Sequence, residues 1–152
     1  MKNSKKNNKL SFSKFSLKKE LLKSIKELGF DQPTSIQEKV IPHLKSSRQD
    51  LIASAQTGTG KTAAFGLPLL DLVDISNSDV QSLILCPTRE LCIQISNDLV
   101  TYSKYMNGMK ILPVYGGSRL DSQIKSLKKG PQIVVGTPGR VKDLIKRKKL
   151  VV

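Results

Sequence analysis

The sequence predicts an α/β fold built on a parallel sheet flanked by helices. Four short apolar runs, at 50–55, 81–86, 110–115 and 132–136, are followed each time by a stretch with helical hydrophobic spacing. Strands that alternate with helices pair in parallel through right-handed crossovers. Each run also gives way to a turn rich in Gly, Pro or Thr, and in sheets of this type ligands bind outside the carboxyl ends of the strands.

The chain has 152 residues, of which 38% are hydrophobic, enough for one domain at typical lengths of about 100–200 residues. Its longest apolar runs are a few residues, whereas a membrane span needs about 20, so no transmembrane helix and no membrane partner are expected. Met1 to Lys9 is rich in Lys, Asn and Ser, with no apolar stretch and no Arg. It reads as neither a secretory signal nor a transit peptide, and a cytoplasmic location is expected. Cys86 and Cys92 fit neither a redox CxxC pair nor a zinc spacing, and both are read as core thiols. His43 has no second His or Cys in ligand register and is read as a helix residue. Lys and Arg number 26 against 12 Asp and Glu, a net charge of +14. That excess fits a polyanionic partner or lysines decorating solvated helix faces, and charge alone does not choose between them.

Taken in order, residues 1–9 read as a disordered basic tail. Leu17, Leu21, Leu22, Ile25 and Leu28 recur at helical spacing with Gly29 behind them, which predicts a helix over 17–28. Thr34 is placed to cap a second helix carrying Ile36, Val40, Ile41 and Leu44, with Pro42 expected to kink it. A strand is predicted over 50–55, a glycine loop over 56–60 and an apolar helix over 61–73. Further strands are predicted at 81–86, 110–115 and 132–136. Helices are predicted at 89–105, 119–128 and from Pro138 onward, with Lys146-Arg147-Lys148-Lys149 as its solvated end. Phe15 is expected in the core.

Ala55-Gln56-Thr57-Gly58-Thr59-Gly60-Lys61-Thr62 is a P-loop with Ala in the usual first Gly position. Gly58 and Gly60 allow backbone N–H groups to face phosphate oxygens, and the following helix N-terminus adds partial positive charge. Lys61 is expected on the β- and γ-phosphates and Thr62 on Mg²⁺, which makes the fold class that of a P-loop NTPase. Upstream, Thr34-x-x-Gln37 is a capping box by spacing.

The stretch Gly29-Phe30-Asp31-Gln32-Pro33-Thr34-Ser35-Ile36-Gln37, just ahead of that loop, resembles the Q motif of the DEAD-box ATP-dependent RNA helicases. The resemblance implies that Gln37 reads adenine, that Phe30 stacks on the base and that Phe12 is the isolated upstream aromatic of the family. Three further segments are similar to family motifs in the same order: Pro87-Thr88-Arg89-Glu90-Leu91 (motif Ia), Gly116-Gly117 (the GG motif) and Thr137-Pro138-Gly139-Arg140 (motif Ib). The resemblance implies that Pro87, Thr88, Arg89, Gly116, Gly117, Thr137, Pro138, Gly139 and Arg140 line the RNA backbone. Hydroxyls, glycines and helix N-termini suit phosphate contacts. As isolated signals they suit strand-to-helix turns better than RNA contacts, with Arg89 and Arg140 as solvated or capping charges.

By this resemblance, residues 10–38 are the Q-motif region and 39–152 part of the first RecA-like domain of an enzyme that binds ATP, Mg²⁺ and RNA. Such an enzyme remodels short RNA duplexes with ATP hydrolysis, contacts RNA largely without regard to sequence, and takes its targets, ribonucleoproteins among them, from other regions or protein partners. The family's Asp-Glu-Ala-Asp and Ser-Ala-Thr motifs do not occur in this chain. The resemblance therefore implies an incomplete domain that is inactive alone, with Lys61 and Thr62 as its part of the catalytic machinery. The alternative is a non-catalytic nucleotide- or RNA-binding fragment, or a split subunit.

Overall fold

The computed structural model describes residues 11–151; the tail expected over 1–9 lies outside them. A 3-10 turn at Phe12–Phe15 leads into helices α1 (Lys19–Glu27), α2 (Ser35–Ser46) and α3 (Lys61–Leu72). Strand β1 (Ser82–Leu85), α4 (Arg89–Tyr102), β2 (Ile111–Val114), α5 (Leu120–Leu127), β3 (Ile133–Gly136) and α6 (Pro138–Lys146) follow. The strands form one parallel sheet in the order β1-β3-β2, with Ile133 opposite both Ser82 and Ile111.

The central strand explains the two-sided core. Successive side chains of a strand point to opposite faces, so Ile133 and Val135 join Leu21, Ile25, Leu67 and Leu99 of α1, α3 and α4, while Val134 meets Val114, Leu127, Val141 and Leu144. Ile133, Val134 and Val135 are all fully buried, and each such side chain contributes about 1.5–3 kcal/mol by leaving water. Phe15 is in the core as expected, with Phe12 and Leu17 beside it. Cys86 and Cys92 are buried free thiols, and burial pushes the Cys92 thiol up to about 12, so neither serves as a nucleophile.

Asp71 fixes the arrangement of the first half. Its carboxylate accepts from the Lys18 backbone N–H at 2.6 Å and pairs with Lys45 at 2.9 Å, and Lys45 also donates to the Phe15 carbonyl at 2.8 Å. One half-buried carboxylate thus ties the N-terminal segment, α2 and α3 together, and this sets where α2 meets the start of α3. Helix α2 runs through Pro42 without a break.

Two sequence expectations need correction. Residues 50–55 form no strand, and among the described residues the sheet has three strands where four were predicted. A β conformation is held by a neighbour's backbone. Among the described residues this segment has none, which leaves Leu51 40% and Ile52 100% exposed. The helix predicted to Tyr105 ends at Tyr102, where Ser103 closes it; Lys104 and Tyr105 turn away to Glu27 of α1. Among the described residues no helix is long and apolar enough to cross a membrane.

Candidate nucleotide and nucleic-acid interface

The glycine loop is shaped by two left-handed residues, Gly58 (φ 78°) and Gly60 (φ 80°). Side-chain-bearing residues reach this conformation only at a cost of about 1–2 kcal/mol. Gly60 caps α3, and the first N–H groups of that helix, from Lys61 onward, have no partner one turn earlier. They face the loop mouth together with the positive end of the helix dipole. The Lys61 ammonium reaches back across the loop to the Ala55 carbonyl at 2.6 Å, and the Thr59 hydroxyl donates to the Gln56 carbonyl at 2.7 Å. Thr57 and Gly58 are exposed at the tip, and Thr62 is half-buried at the first turn of α3.

Helix α2 brings Thr34 and Gln37 onto this loop. The capping box expected from their spacing is present, with Gln37 Oε1 accepting from the Thr34 N–H at 2.9 Å. The same two side chains also leave the helix: Thr34 Oγ1 donates to the Thr59 carbonyl at 2.8 Å and Gln37 Nε2 to the Gly60 carbonyl at 3.1 Å. Gln37 is 3% exposed. One N–H and one oxygen lone pair of its amide stay unused by these bonds, a donor and an acceptor side by side. A Cβ on residue 60 would collide with the Gln37 amide.

The aromatic residues lie apart from this contact. Phe12 is 4% exposed; it stacks on Phe30 at 6.3 Å and meets the edge of Phe15 at 5.9 Å. Phe30 is half-buried, also touches Tyr102, and lines a small cleft with Ser11 and Asp31. A larger cleft of 610 Å³ begins at Lys61 and Thr62 and runs between Val40, Phe65 and Ile95 of α2, α3 and α4, with Asp50 and Leu51 on its rim.

The strand order sets the other predicted residues in a row: the turn after β1 (Pro87, Thr88, Arg89), then that after β3 (Thr137, Pro138, Gly139, Arg140), then that after β2 (Gly116, Gly117). Thr88 Oγ1 accepts from the Leu91 N–H at 3.2 Å and caps α4. Arg89 lies over the Tyr115 ring at 5.0 Å, beside Gly117, whose φ of 78° suits glycine. Pro138 opens α6, and the Thr137 N–H donates to the Val114 carbonyl at 3.0 Å. Pro87, Gly116 and Gly139 are exposed.

Sequence reasoning missed Gln123. This α5 residue is 6% exposed, donates to the Tyr115 carbonyl at 3.1 Å and accepts from Arg140 Nη1 at 2.9 Å. Arg140 also donates to the Ser118 carbonyl at 3.2 Å. The Arg140 guanidinium is therefore neither freely solvated nor a helix cap; it ties the turn after β3 to the loop after β2. A signal was available: Gln123 stands on the apolar stripe of Leu120, Ile124 and Leu127, where a polar residue needs a buried partner.

The loop can hold phosphate, and the donors around it fit magnesium only in company. Among the described residues no three His, Cys, Asp or Glu cluster as a metal cage. A single hydroxyl, Thr62, suits an Mg²⁺ ion held mainly by nucleotide phosphates.

A glycine loop between an extended segment and a helix, set at one end of a parallel sheet, defines a P-loop nucleotide-binding protein of α/β class. The chain matches the DEAD/DEAH box helicase family over residues 34–152, and it belongs to that family. It is 54% identical over 139 residues to the ATP-dependent RNA helicase CshA of Listeria monocytogenes, covering 91% of this chain and 26% of that protein. With the Escherichia coli K12 ATP-dependent RNA helicase DeaD it shares 47% identity over 137 residues, 90% of this chain and 22% of that one. Among solved structures it is similar to a DEAD box protein from Methanococcus jannaschii (TM-score 0.87, 42% identity, 93% of this chain and 38% of that one). It is likewise similar to S. cerevisiae Dbp5 bound to RNA and ADP BeF3 (TM-score 0.81, 34% identity, 93% and 35%). The chain spans about a quarter of the length of the curated relatives it matches.

Proposed function

We propose that this chain is the part of an ATP-dependent RNA helicase that grips the nucleotide and one RNA strand, working in the cytoplasm. The observation that carries the reading is the joint between Gln37 and the P-loop: the residue that the family resemblance assigns to adenine is hydrogen-bonded to the carbonyl of Gly60. Base recognition and phosphate binding then share one rigid element. Gln37 offers its free donor and acceptor to adenine, Phe30 is the stacking candidate, and Phe12 supports Phe30 from beneath. The loop from Ala55 to Gly60 surrounds the phosphates with backbone N–H groups, and Lys61 exchanges the Ala55 carbonyl for the phosphates.

Thr62 holds Mg²⁺ with the nucleotide, and the ion's part is to neutralise phosphate charge. Hydrolysis also needs a positioned water, for which this chain has no Asp-Glu-Ala-Asp motif; the cleft beside Lys61 and Thr62 is where a carboxylate-bearing segment would fit. The row of turns from Thr88 to Gly117 contacts phosphate and ribose, so RNA binding is salt-sensitive and indifferent to sequence. We assign 10–38 to the Q-motif region and 39–152 to part of the first RecA-like domain. The choice of RNA and of protein partners lies with other regions.

Nucleotide titration and phosphate release test this reading together. The 152-residue chain is expected to bind ATP, to lose at least about tenfold in affinity (1.4 kcal/mol) with Lys61→Ala, and to lose its preference for ATP over GTP with Gln37→Ala. It is expected to release no phosphate above the Lys61→Ala control, with or without RNA. Turnover by this chain would overturn the assignment of hydrolysis to a further segment. Binding indifferent to Gln37→Ala would instead favour another kind of P-loop protein.

Gln123 yields a separate expectation. Gln123→Leu keeps the volume but removes the side-chain donor to the Tyr115 carbonyl and leaves the Arg140 guanidinium with the Ser118 carbonyl alone, at about 1–3 kcal/mol. RNA affinity should fall several-fold while ATP affinity holds, as read by fluorescence anisotropy. A loss in both would mean that Gln123 supports the whole domain and not the turns.

A further inference from the structure

The row of predicted motifs occupies one end of the sheet; the opposite end is strongly basic, and nothing in the nucleotide or RNA reading accounts for it. Every helix after a parallel strand runs back toward the strand's beginning, so the last turns of α5 and α6 arrive at the same pole. Lys128 and Lys129 follow α5, Lys110 precedes β2, and the Lys110 ammonium donates to the Lys129 carbonyl at 2.7 Å. Leu127, Lys149 and Leu150 line a shared cleft with Ser78 to Val80 ahead of β1. Lys146 to Lys149, which read as a mere helix end in the sequence, therefore stand beside the α5 cations, and all of these side chains are exposed. Nearby acidic charge is small: Asp143 is already paired with Arg147 at 2.8 Å, and Asp79 stands alone among the residues lining that cleft.

A second observation separates this pole from ordinary helix-end charge. Helix α6 closes in a Schellman turn, with Lys148 N–H on the Ile145 carbonyl and Lys149 N–H on the Leu144 carbonyl, each at 2.9 Å. The position after the cap is normally glycine, because it takes a left-handed conformation. Here it is Lys148, with φ 55°. A lysine held where glycine is preferred retains charge at the expense of backbone comfort, and a backbone outlier of this kind points to use.

We propose that this pole is a second RNA-backbone surface, which takes the sugar-phosphate chain of the same RNA after it leaves the row of turns. The proposal rests on the RNA-binding reading above. Helix α6 has nine residues and so separates the pole from the Thr137 turn by about 14 Å. Only RNA longer than a single groove's site, roughly 4–16 nucleotides, reaches both. Exposed lysines carried on helix ends suit a flexible phosphate chain better than a shaped ligand.

Anisotropy titrations of the protein with a short RNA of about 6 nucleotides and a long one of about 30 separate the two surfaces. The charge-swapped form Lys128→Glu, Lys129→Glu, Lys148→Glu, Lys149→Glu should bind short RNA nearly as before and long RNA at least tenfold more weakly. Its salt slope on long RNA should fall by about 0.7 per lost phosphate contact, and the fourfold Lys→Arg form should restore binding. Lys148→Gly should raise the melting temperature and still weaken long-RNA binding, a pairing that a purely structural role does not produce. Equal losses on both RNAs, or none on either, overturn the proposal. So does capture of the protein by phosphatidylserine vesicles that the charge swap abolishes while long-RNA binding stays intact; that result would assign the pole to an anionic membrane. Failure of the unaltered protein to bind short RNA would instead overturn the assignment of the turns, and the long-RNA comparison would still report on the pole.

Discussion

Replacing Gly60 with alanine is expected to remove most of the protein's affinity for ATP. Two costs add. The residue must hold φ 80°, which an L side chain adopts at about 1–2 kcal/mol, and its new Cβ would strike the Gln37 amide. Gln37 cannot swing aside freely, since it is 3% exposed and bonded to both Thr34 and Gly60. Displacing it breaks two partly buried hydrogen bonds, each worth about 0.5–1.5 kcal/mol. A loss of at least about tenfold in ATP affinity, 1.4 kcal/mol, is expected by calorimetric titration, together with loss of the ATP-over-GTP preference. Gly58→Ala is the control: residue 58 has nearly the same φ, 78°, but open space around its Cβ position. It should weaken phosphate binding and keep the base preference. Equal loss of preference in both variants would show that Gln37 does not act through residue 60.

Gly136→Ala is the second large effect. This glycine ends the central strand, in register with Leu85 and Val114. A Cβ there would press on Val141 and lie 2.8 Å from Val114 Cγ2 and 3.3 Å from the Val114 carbonyl. Because no positive φ is involved, alanine would gain about 0.4–1 kcal/mol from a stiffer unfolded chain, but overpacking of this kind costs about 1–3 kcal/mol or more. The net expectation is a lower urea midpoint, with the turn at Thr137 pushed away from the sheet and RNA binding weakened. An unchanged midpoint would mean that α6 can move off β3 without loss.

Much of the molecule was legible along the chain. Helix α1, with its stripe from Leu21 to Ile25, and strand β3, with its Ile133-Val134-Val135 run, are specified by local periodicity, and the turns that punctuate the fold carry their own Gly, Pro and Thr. The P-loop was legible for the same reason: a phosphate cradle needs glycines and a helix start within a few consecutive residues, so its geometry is written locally. The wrong strand at 50–55 and the overlooked Gln123 share the opposite cause. An apolar run has strand composition whether or not another backbone lies beside it, and Ile52 stands fully exposed because pairing is a property of neighbours. Gln123 shows only a polar residue on an apolar stripe until β2 and α6 arrive to offer the Tyr115 carbonyl and Arg140.

Gln37 stands between these cases. Its spacing to Thr34 announces a capping box, and that box is present, yet the bond that matters joins it to Gly60, 23 residues away. The sequence by itself determined the helices, the three strands that do pair, the phosphate loop and the family, because each depends on residues close together in the chain. Only the tertiary structure decided which strands pair, which face Gln37 and Arg140 serve, and that the scattered lysines of three connections meet at one pole. Those outcomes depend on crossovers returning to the same edge of one sheet, which bring into contact residues that no local pattern relates.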